Sequence, residues 1–314
     1  MVTASAPGKV ILFGEHAVVY GEPSLVAALD KRTYVDAATR EDNKINIVSA
    51  LGSDTSTVGE LRGDTEDDFR YVKRAIALVF ERLNESAGFD ISIRSDVPPA
   101  SGLGSSASVS IATIMAVSEE LGVKLDRKEI AELGHKVELG VQGSASPTDT
   151  SISTFGGVLF VKPKENEVEQ IEVDLSLVVG YTGVERSTKF LVDRVRRLRE
   201  EYPDIVGHLI RDIGKLTREA KHMLVRGDDV GMLMNVNHGL LEALGVSTEQ
   251  LSRAVYAARQ AGASGAKLTG AGGGGCMIAL TPKNQDAVMR AVDGCGCKSF
   301  YSVITRDGVR LEET

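Results

Sequence analysis

Apolar and polar positions along the 314-residue chain follow two rhythms. Phe89-Asp90-Ile91-Ser92-Ile93 alternates with a period of two, the pattern of a half-buried strand. Phe69, Val72, Ile76, Val79, Phe80 and Leu83 recur at steps of three and four, so 69–83 reads as a helix. The segment 109–117 is apolar, Ala-rich and free of turn residues, and reads as a buried helix. At the start, 2–6 reads as a strand broken by Ala6-Pro7-Gly8-Lys9, and 10–13 as a short buried run ended by Gly14-Glu15-His16. Strands are expected at 34–40 and 45–49 around a polar turn, then a polar surface excursion over 51–67. A helix is expected over 127–139, and Ser146-Pro147 has helix-start chemistry. Next come a strand at 157–161, a charged turn at 162–167 and a buried strand at 175–181.

From there to residue 262 the pattern is mostly helical. Ile205, Leu209, Ile213, Leu216, Ala220 and Leu224 fall on one face, and Leu251, Ala254, Val255 and Ala258 on another; both stripes read as core. A glycine cluster leads into a strand at 277–280, then a helix at 285–292 and two terminal strands. Strands and helices in runs, without strict alternation, predict an α+β fold. The length allows two domains, divided as 1–174 and 175–314.

Composition changes this picture little. Net charge is −8 and the pI about 5.3, which argues against broad nucleic-acid or anionic-membrane binding but leaves room for a nucleotide in a local cradle. Cys276, Cys295 and Cys297 lack paired CxxC spacing and read as reduced thiols. The five histidines form no HExxH pair. With no basic-then-apolar leader and no run of about 20 apolar residues, a soluble cytoplasmic protein is expected.

Glycine, at 33 residues, is concentrated in a few clusters that carry the candidate chemistry. Between the strand at 89–93 and the helix at 109–117 lies Asp96-Val97-Pro98-Pro99-Ala100-Ser101-Gly102-Leu103-Gly104-Ser105-Ser106-Ala107-Ser108. Glycines admit close backbone approach, helix-start N–H groups attract anions, and Ser105 and Ser106 offer hydroxyls to a phosphate or Mg²⁺. A serine-capped helix after a glycine turn is the plainer alternative. Gly102-x-Gly104-x-x-Ala107 matches the dinucleotide fingerprint only loosely, because a polar stretch separates it from the strand. Gly270, Gly272 and Gly275 match its spacing but precede a strand. A Walker A loop and the protein-kinase HRD and DFG motifs are absent.

Phosphoryl transfer needs a phosphate cradle, a metal bridge, a cation and an aspartate near the acceptor hydroxyl. Lys9, in a glycine turn between apolar runs, is a candidate cation or a solvated turn lysine. Asp149, at a helix start, is a candidate base or a dipole-complementing first-turn acid. Glu138 is a candidate ligand or part of a solvated helix face. Glu15-His16 could bind hydroxyls or form a structural hydrogen bond.

Together these residues resemble a family. Pro7-Gly8-Lys9-Val10-Ile11-Leu12-Phe13-Gly14-Glu15-His16-Ala17-Val18-Val19-Tyr20-Gly21 is similar to the first motif of the GHMP small-molecule kinases (galactokinase, homoserine kinase, mevalonate kinase, phosphomevalonate kinase) in the version that mevalonate kinases carry. The loop from Pro98 to Ser108 resembles the second motif, and Lys267-Leu268-Thr269-Gly270-Ala271-Gly272-Gly273-Gly274-Gly275-Cys276 the third. Ser146-Pro147-Thr148-Asp149-Thr150 resembles the aspartate stretch of the short archaeal form, with Thr-Asp-Thr where many eukaryotic members have Val-Asp-Asn.

The resemblance implies a two-domain α+β fold: an N-terminal domain like ribosomal protein S5 domain 2, a C-terminal domain bearing the third motif, and a cleft between them. It implies ATP-dependent phosphorylation of the C5 hydroxyl of mevalonate. Pro98, Pro99, Ala100, Ser101, Gly102, Leu103, Gly104, Ser105, Ser106, Ala107 and Ser108 would wrap the ATP phosphates. Ser106 and Glu138 would hold Mg²⁺, and Asp149 would take or orient the hydroxyl proton. Lys9 would stabilise charge; Glu15, His16, Thr188 and Gly272 would meet mevalonate. A homodimer is the family expectation. The residues alone support a phosphate-binding α+β protein. Kinases of other small alcohols (phosphomevalonate, the mevalonate 3-hydroxyl, a sugar) and a catalytically silent nucleotide-dependent sensor remain alternatives.

Overall fold

The structure is a computed structural model, and its described residues are 1–62, 67–98, 101–143, 146–165, 167–184 and 187–313. The chain opens with strands β1 (Val2–Phe13), β2 (Ser24–Arg40), β3 (Lys44–Ser49) and β4 (Gly52–Thr57), helix α1 (Arg70–Leu83) and strand β5 (Gly88–Ser95). Helices α2 (Ser105–Glu120), α3 (Arg127–Gln142) and α4 (Pro147–Phe155) follow, then β6 (Val158–Lys162), β7 (Glu167–Ile171) and β8 (Ser176–Tyr181). Four helices come next: α5 (Thr188–Glu201), α6 (Pro203–Arg226), α7 (Gly231–Ala243) and α8 (Glu249–Gln260). The chain ends with β9 (Gly265–Thr269), β10 (Cys276–Leu280), α9 (Gln285–Asp293), β11 (Lys298–Val303) and β12 (Arg310–Leu311).

One sheet has the order β12-β1-β2-β5-β3-β4, with β6 and β7 extending from the first half of β2. Helices α1, α2 and α3 bury their apolar faces against it in a core that includes Val35, Ile47, Ile76, Phe89 and Ile111. The second sheet, β11-β8-β10-β9, is antiparallel throughout. A further core joins the two: Val10, Leu12 and Leu29 meet Leu177, Val179 and Ile278. The inner half of β1 therefore lies on the seam between the sheets. After β11 the chain returns to the first sheet, where Ser5 pairs with Arg310.

The expected break at Pro7-Gly8-Lys9 is instead an irregularity inside one long strand. Pairing with β2 jumps from Pro7–Arg32 to Lys9–Ala28. A side chain at Gly8 would put its Cβ 2.8 Å from Val97 Cγ2 and 3.0 Å from the Leu103 carbonyl, so a glycine lets the strand pass beneath the loop. The α6 stripe is also shifted. Ile205 is exposed, Leu209 and Leu216 are half-buried, and the covered face carries Val206, Ile210, Ile213, Thr217, Ala220 and Leu224. Strands β4, β7 and β9 and the first half of β2 exceed what apolar patterning indicated. The polar edges gain their order from ladder hydrogen bonds to neighbours, which period alone does not reveal.

Candidate active site

The candidate phosphate loop is built on a helix end that no side chain caps. Gly104 occupies the N-cap of α2 with φ 76°, and no side-chain cap bond forms there. Ser105 and Ser106 already belong to the helix and are half-buried, so the serine-cap alternative fails. The first-turn amides of such an end are the groups that attract an anion. The loop is fixed from below. Lys9 N donates to the Leu103 carbonyl at 2.8 Å, and the Leu103 side chain is buried in the core between the sheets. Ser101, also buried, donates its hydroxyl to the Pro98 carbonyl at 2.7 Å. Gly102 is exposed with φ 80°. Ala107 is buried, and the Ser108 hydroxyl points inward, 2.9 Å from Thr33 Oγ1 and 3.1 Å from the Ser105 carbonyl. Pro99 and Ala100 lie outside the described residues.

Three ionisable groups converge beside this helix end. The strand irregularity at Gly8 buries Lys9, whose Nζ is 3.2 Å from Asp149 Oδ2. Its stem lies under the loop: a Cβ on Gly104 would fall 2.7 Å from Lys9 Cγ. Asp149 sits half-buried in the first turn of α4, after the Ser146 cap and Pro147. The Ser153 hydroxyl, one turn further on, ties α4 to β1 by donating to the Pro7 carbonyl at 3.1 Å. Glu138 lies near the end of α3 and is only 4% exposed, so it is no solvated-face residue. Burial first, then the Asp149 carboxylate, pushes its pKa from 4.5 up to about 8, against the pull of Lys9.

A third segment closes over this from the second sheet. Residues 270–275 form the hairpin loop between β9 and β10. Gly272 (φ 80°) has no room for a side chain, because a Cβ would fall 2.1 Å from the Val246 carbonyl. Gly273 N donates to that same carbonyl at 2.7 Å and Gly275 N to the Val184 carbonyl at 2.8 Å. A Cβ on Gly275 would reach the Ser101 carbonyl at 3.3 Å, so the hairpin backs the phosphate loop. His16 (φ 59°) bonds through Nε2 to the Ala271 carbonyl at 2.8 Å, and burial holds its pKa down. Glu15 makes no bond to His16. It is ion-paired with Lys267 of β9 and accepts from Asn237 Nδ2 at 3.2 Å. Thr188 is exposed at the start of α5 and takes no part in the Lys9–Asp149–Glu138 cluster.

Lys267, Asn237, Thr269 and Ser153 carry structural work that patterning did not assign. For Lys267 a signal existed: a charged residue in the middle of a short strand flanked by apolar positions. Elsewhere, a groove of about 350 Å³ beside Phe160 is rich in cations, but Lys162, Arg218 and Lys221 are each held by carboxylates. The three cysteines are free; burial raises Cys276 to about 12 and Cys297 to about 11, so both remain thiols at neutral pH. No described helix is long and apolar enough to cross a membrane.

Residues 70–157 match the GHMP kinases N terminal domain, and residues 224–296 match GHMP kinases C terminal. The chain is 46% identical to the mevalonate kinase of Pyrococcus abyssi, over 100% of this chain and 98% of that protein. The crystal structure of the Methanococcus jannaschii mevalonate kinase superposes with a TM-score of 0.88 at 33% identity, covering 96% of this chain and 98% of that one. The L. major mevalonate kinase in complex with R-mevalonate superposes at 0.82 with 27% identity, covering 96% and 95%.

Proposed function

The chain belongs to the GHMP kinases, in their mevalonate kinase branch, and from that premise we infer that it transfers the γ-phosphoryl group of ATP to the C5 hydroxyl of mevalonate. The products are 5-phosphomevalonate and ADP. The observation that carries the reading is the buried Lys9 ammonium, 3.2 Å from Asp149 at the mouth of the uncapped α2. There an anion holder, a fixed cation and a carboxylate meet.

The amides at the start of α2, with residues 98–108, hold the phosphates. Asp149 accepts or orients the proton of the attacking hydroxyl. As the new O–P bond forms, the bond to the ADP oxygen breaks. Lys9 offsets the charge on the transferring group in a site that its own burial makes low in dielectric. Gly272, His16 and Thr188 are assigned to the mevalonate side, where the hairpin and α5 begin.

Glu138 and Ser106 fit Mg²⁺. They are hard oxygen donors, and few protein ligands suit an ion that takes the rest of its shell from phosphates and water. Among the described residues no group of three or more His, Cys, Asp or Glu forms a ready-made cage. A carboxyl raised to about 8 by burial and a neighbouring carboxylate is also one that a nearby cation would ionise. When bound, the ion neutralises charge on the phosphate oxygens. A cytoplasmic location, a homodimer and a division of labour between 1–174 and 175–314 belong to the same reading.

ADP release from MgATP, with mevalonate, phosphomevalonate, galactose and homoserine as parallel acceptors, tests it. Release dependent on mevalonate alone is expected. Release with another acceptor alone would keep the Lys9–Asp149 chemistry and overturn the substrate, and silence with all four in ATP-binding protein would favour a sensor.

A further inference from the structure

Lys267 and Thr269 are two apart on β9, so their side chains face one way, and Ala271 follows in the turn at its exit. All three meet the end of β1 and the turn after it. Lys267 pairs with Glu15; Thr269 Oγ1 accepts from Ile11 N at 2.9 Å and donates to the Ile11 carbonyl at 3.0 Å; the Ala271 carbonyl meets His16. The Lys267 and Glu15 side chains are both 0% exposed. Both carboxylate oxygens are engaged, Oε1 by Lys267 and Oε2 by Asn237 of α7. Lys267 Nζ also donates to the Leu268 carbonyl at 2.7 Å. Glu15 thus faces a closed polar nest inside the protein, while its neighbour His16 faces the hairpin.

We propose that Glu15 and Lys267 are a positioning pair: they hold His16 and the glycine hairpin in register with the strand that carries Lys9, and Glu15 acts on mevalonate binding only through Lys267. The inference deepens the mevalonate kinase reading and rests on it. A buried pair replaces solvent around two charges only in one mutual geometry, so it specifies an orientation that an apolar contact would leave free to slide. Here it joins the two sheets where the acceptor and the phosphates must meet. A carboxylate reserved for substrate would instead keep an oxygen exposed to the cleft.

The test is a double-mutant cycle on the full chain, read as KM for mevalonate, KM for ATP and kcat. Wild type must first release ADP with mevalonate; failure there removes the substrate reading itself, before any variant is compared. In active enzyme, Lys267→Met and Glu15→Gln should each raise the mevalonate KM by about tenfold, within the range for coupled neighbours. The double variant should be no worse than either, with kcat changed much less. Additive losses, or a Glu15→Gln effect far above that of Lys267→Met, would place Glu15 on the substrate and overturn the proposal. Unchanged KM with a lowered melting temperature would also overturn it. Should Lys267→Met fail to fold, Asn237→Ala leaves the ion pair and removes one bond on Glu15. A raised mevalonate KM with unchanged ATP KM then supports the proposal, and an unchanged mevalonate KM overturns it.

Discussion

Lys9 Nζ stands 3.2 Å from Asp149 Oδ2, although one residue lies on a strand of the sheet and the other in the first turn of a helix across it. The contact exists because Gly8 lets β1 run beneath the glycine loop before α2 and because Ser153 binds the Pro7 carbonyl. Asp149→Asn is expected to lower turnover while leaving ATP affinity nearly intact. Lys9→Met should cost about 10²–10³ in turnover, the scale of one lost charge-stabilising donor. Steady-state kinetics beside ATP titration calorimetry checks both, and near-normal turnover in Asp149→Asn would remove that residue from the mechanism.

Glu138 links stability to pH. Its carboxyl moves from 4.5 to about 8 on folding. In that window the folded protein holds a proton that the unfolded chain has released, so this group's contribution to stability falls as pH rises, levelling off above about 8. The ligand-free enzyme should therefore lose more melting temperature with rising pH than Glu138→Gln does. The stabilisation by Mg²⁺ and ATP should grow with pH in wild type. Parallel slopes for the two proteins would mean that Glu138 titrates normally.

Two glycines of one loop should respond differently to alanine. Gly102 (φ 80°) has nothing within 4 Å of an added Cβ, whereas at Gly104 (φ 76°) that atom meets Lys9 Cγ at 2.7 Å. Both variants carry the backbone cost of a left-handed residue, about 1–2 kcal/mol. Only Gly104→Ala displaces Lys9, and if that lysine serves the transfer as proposed, a turnover loss of about 10²-fold is expected for a misplacement near 1 Å. Equal kinetics in the two variants would detach Lys9's position from the loop.

Thr269 is a bracket whose loss leaves the Ile11 N–H and carbonyl without their partner. Thr269→Val should destabilise the protein by about 1–3 kcal/mol in urea denaturation, and Thr269→Ser should restore most of it. A Val variant as stable as wild type would show that the bracket contributes nothing net.

Ser106→Ala should raise the Mg²⁺ concentration needed for half-maximal activity. An unchanged Mg²⁺ titration would remove the hydroxyl from metal contact.

Much of this protein was legible in one dimension because local chemistry is read locally. The helical period across residues 69–83, the strand at 89–93, the Ser146-Pro147 start of α4 and the glycine loop before α2 all express contacts within a few residues. So do the three motifs that mark a GHMP kinase. Tertiary structure decided what patterning leaves open. Glu138 reads as a ligand or part of a solvated helix face, and Glu15 as a hydroxyl binder or half of a bond to His16, until α3 packs on α4 and β9 meets the turn after β1. Burial and a neighbouring charge then make one a raised acid and the other half of an enclosed ion pair. The α6 stripe moved off Ile205 because its packing partners choose which of two adjacent rows is covered. Periodicity records the shape of an element, whereas desolvation and Coulomb energies depend on what other elements bring within a few ångströms, and that is set only when the sheets meet.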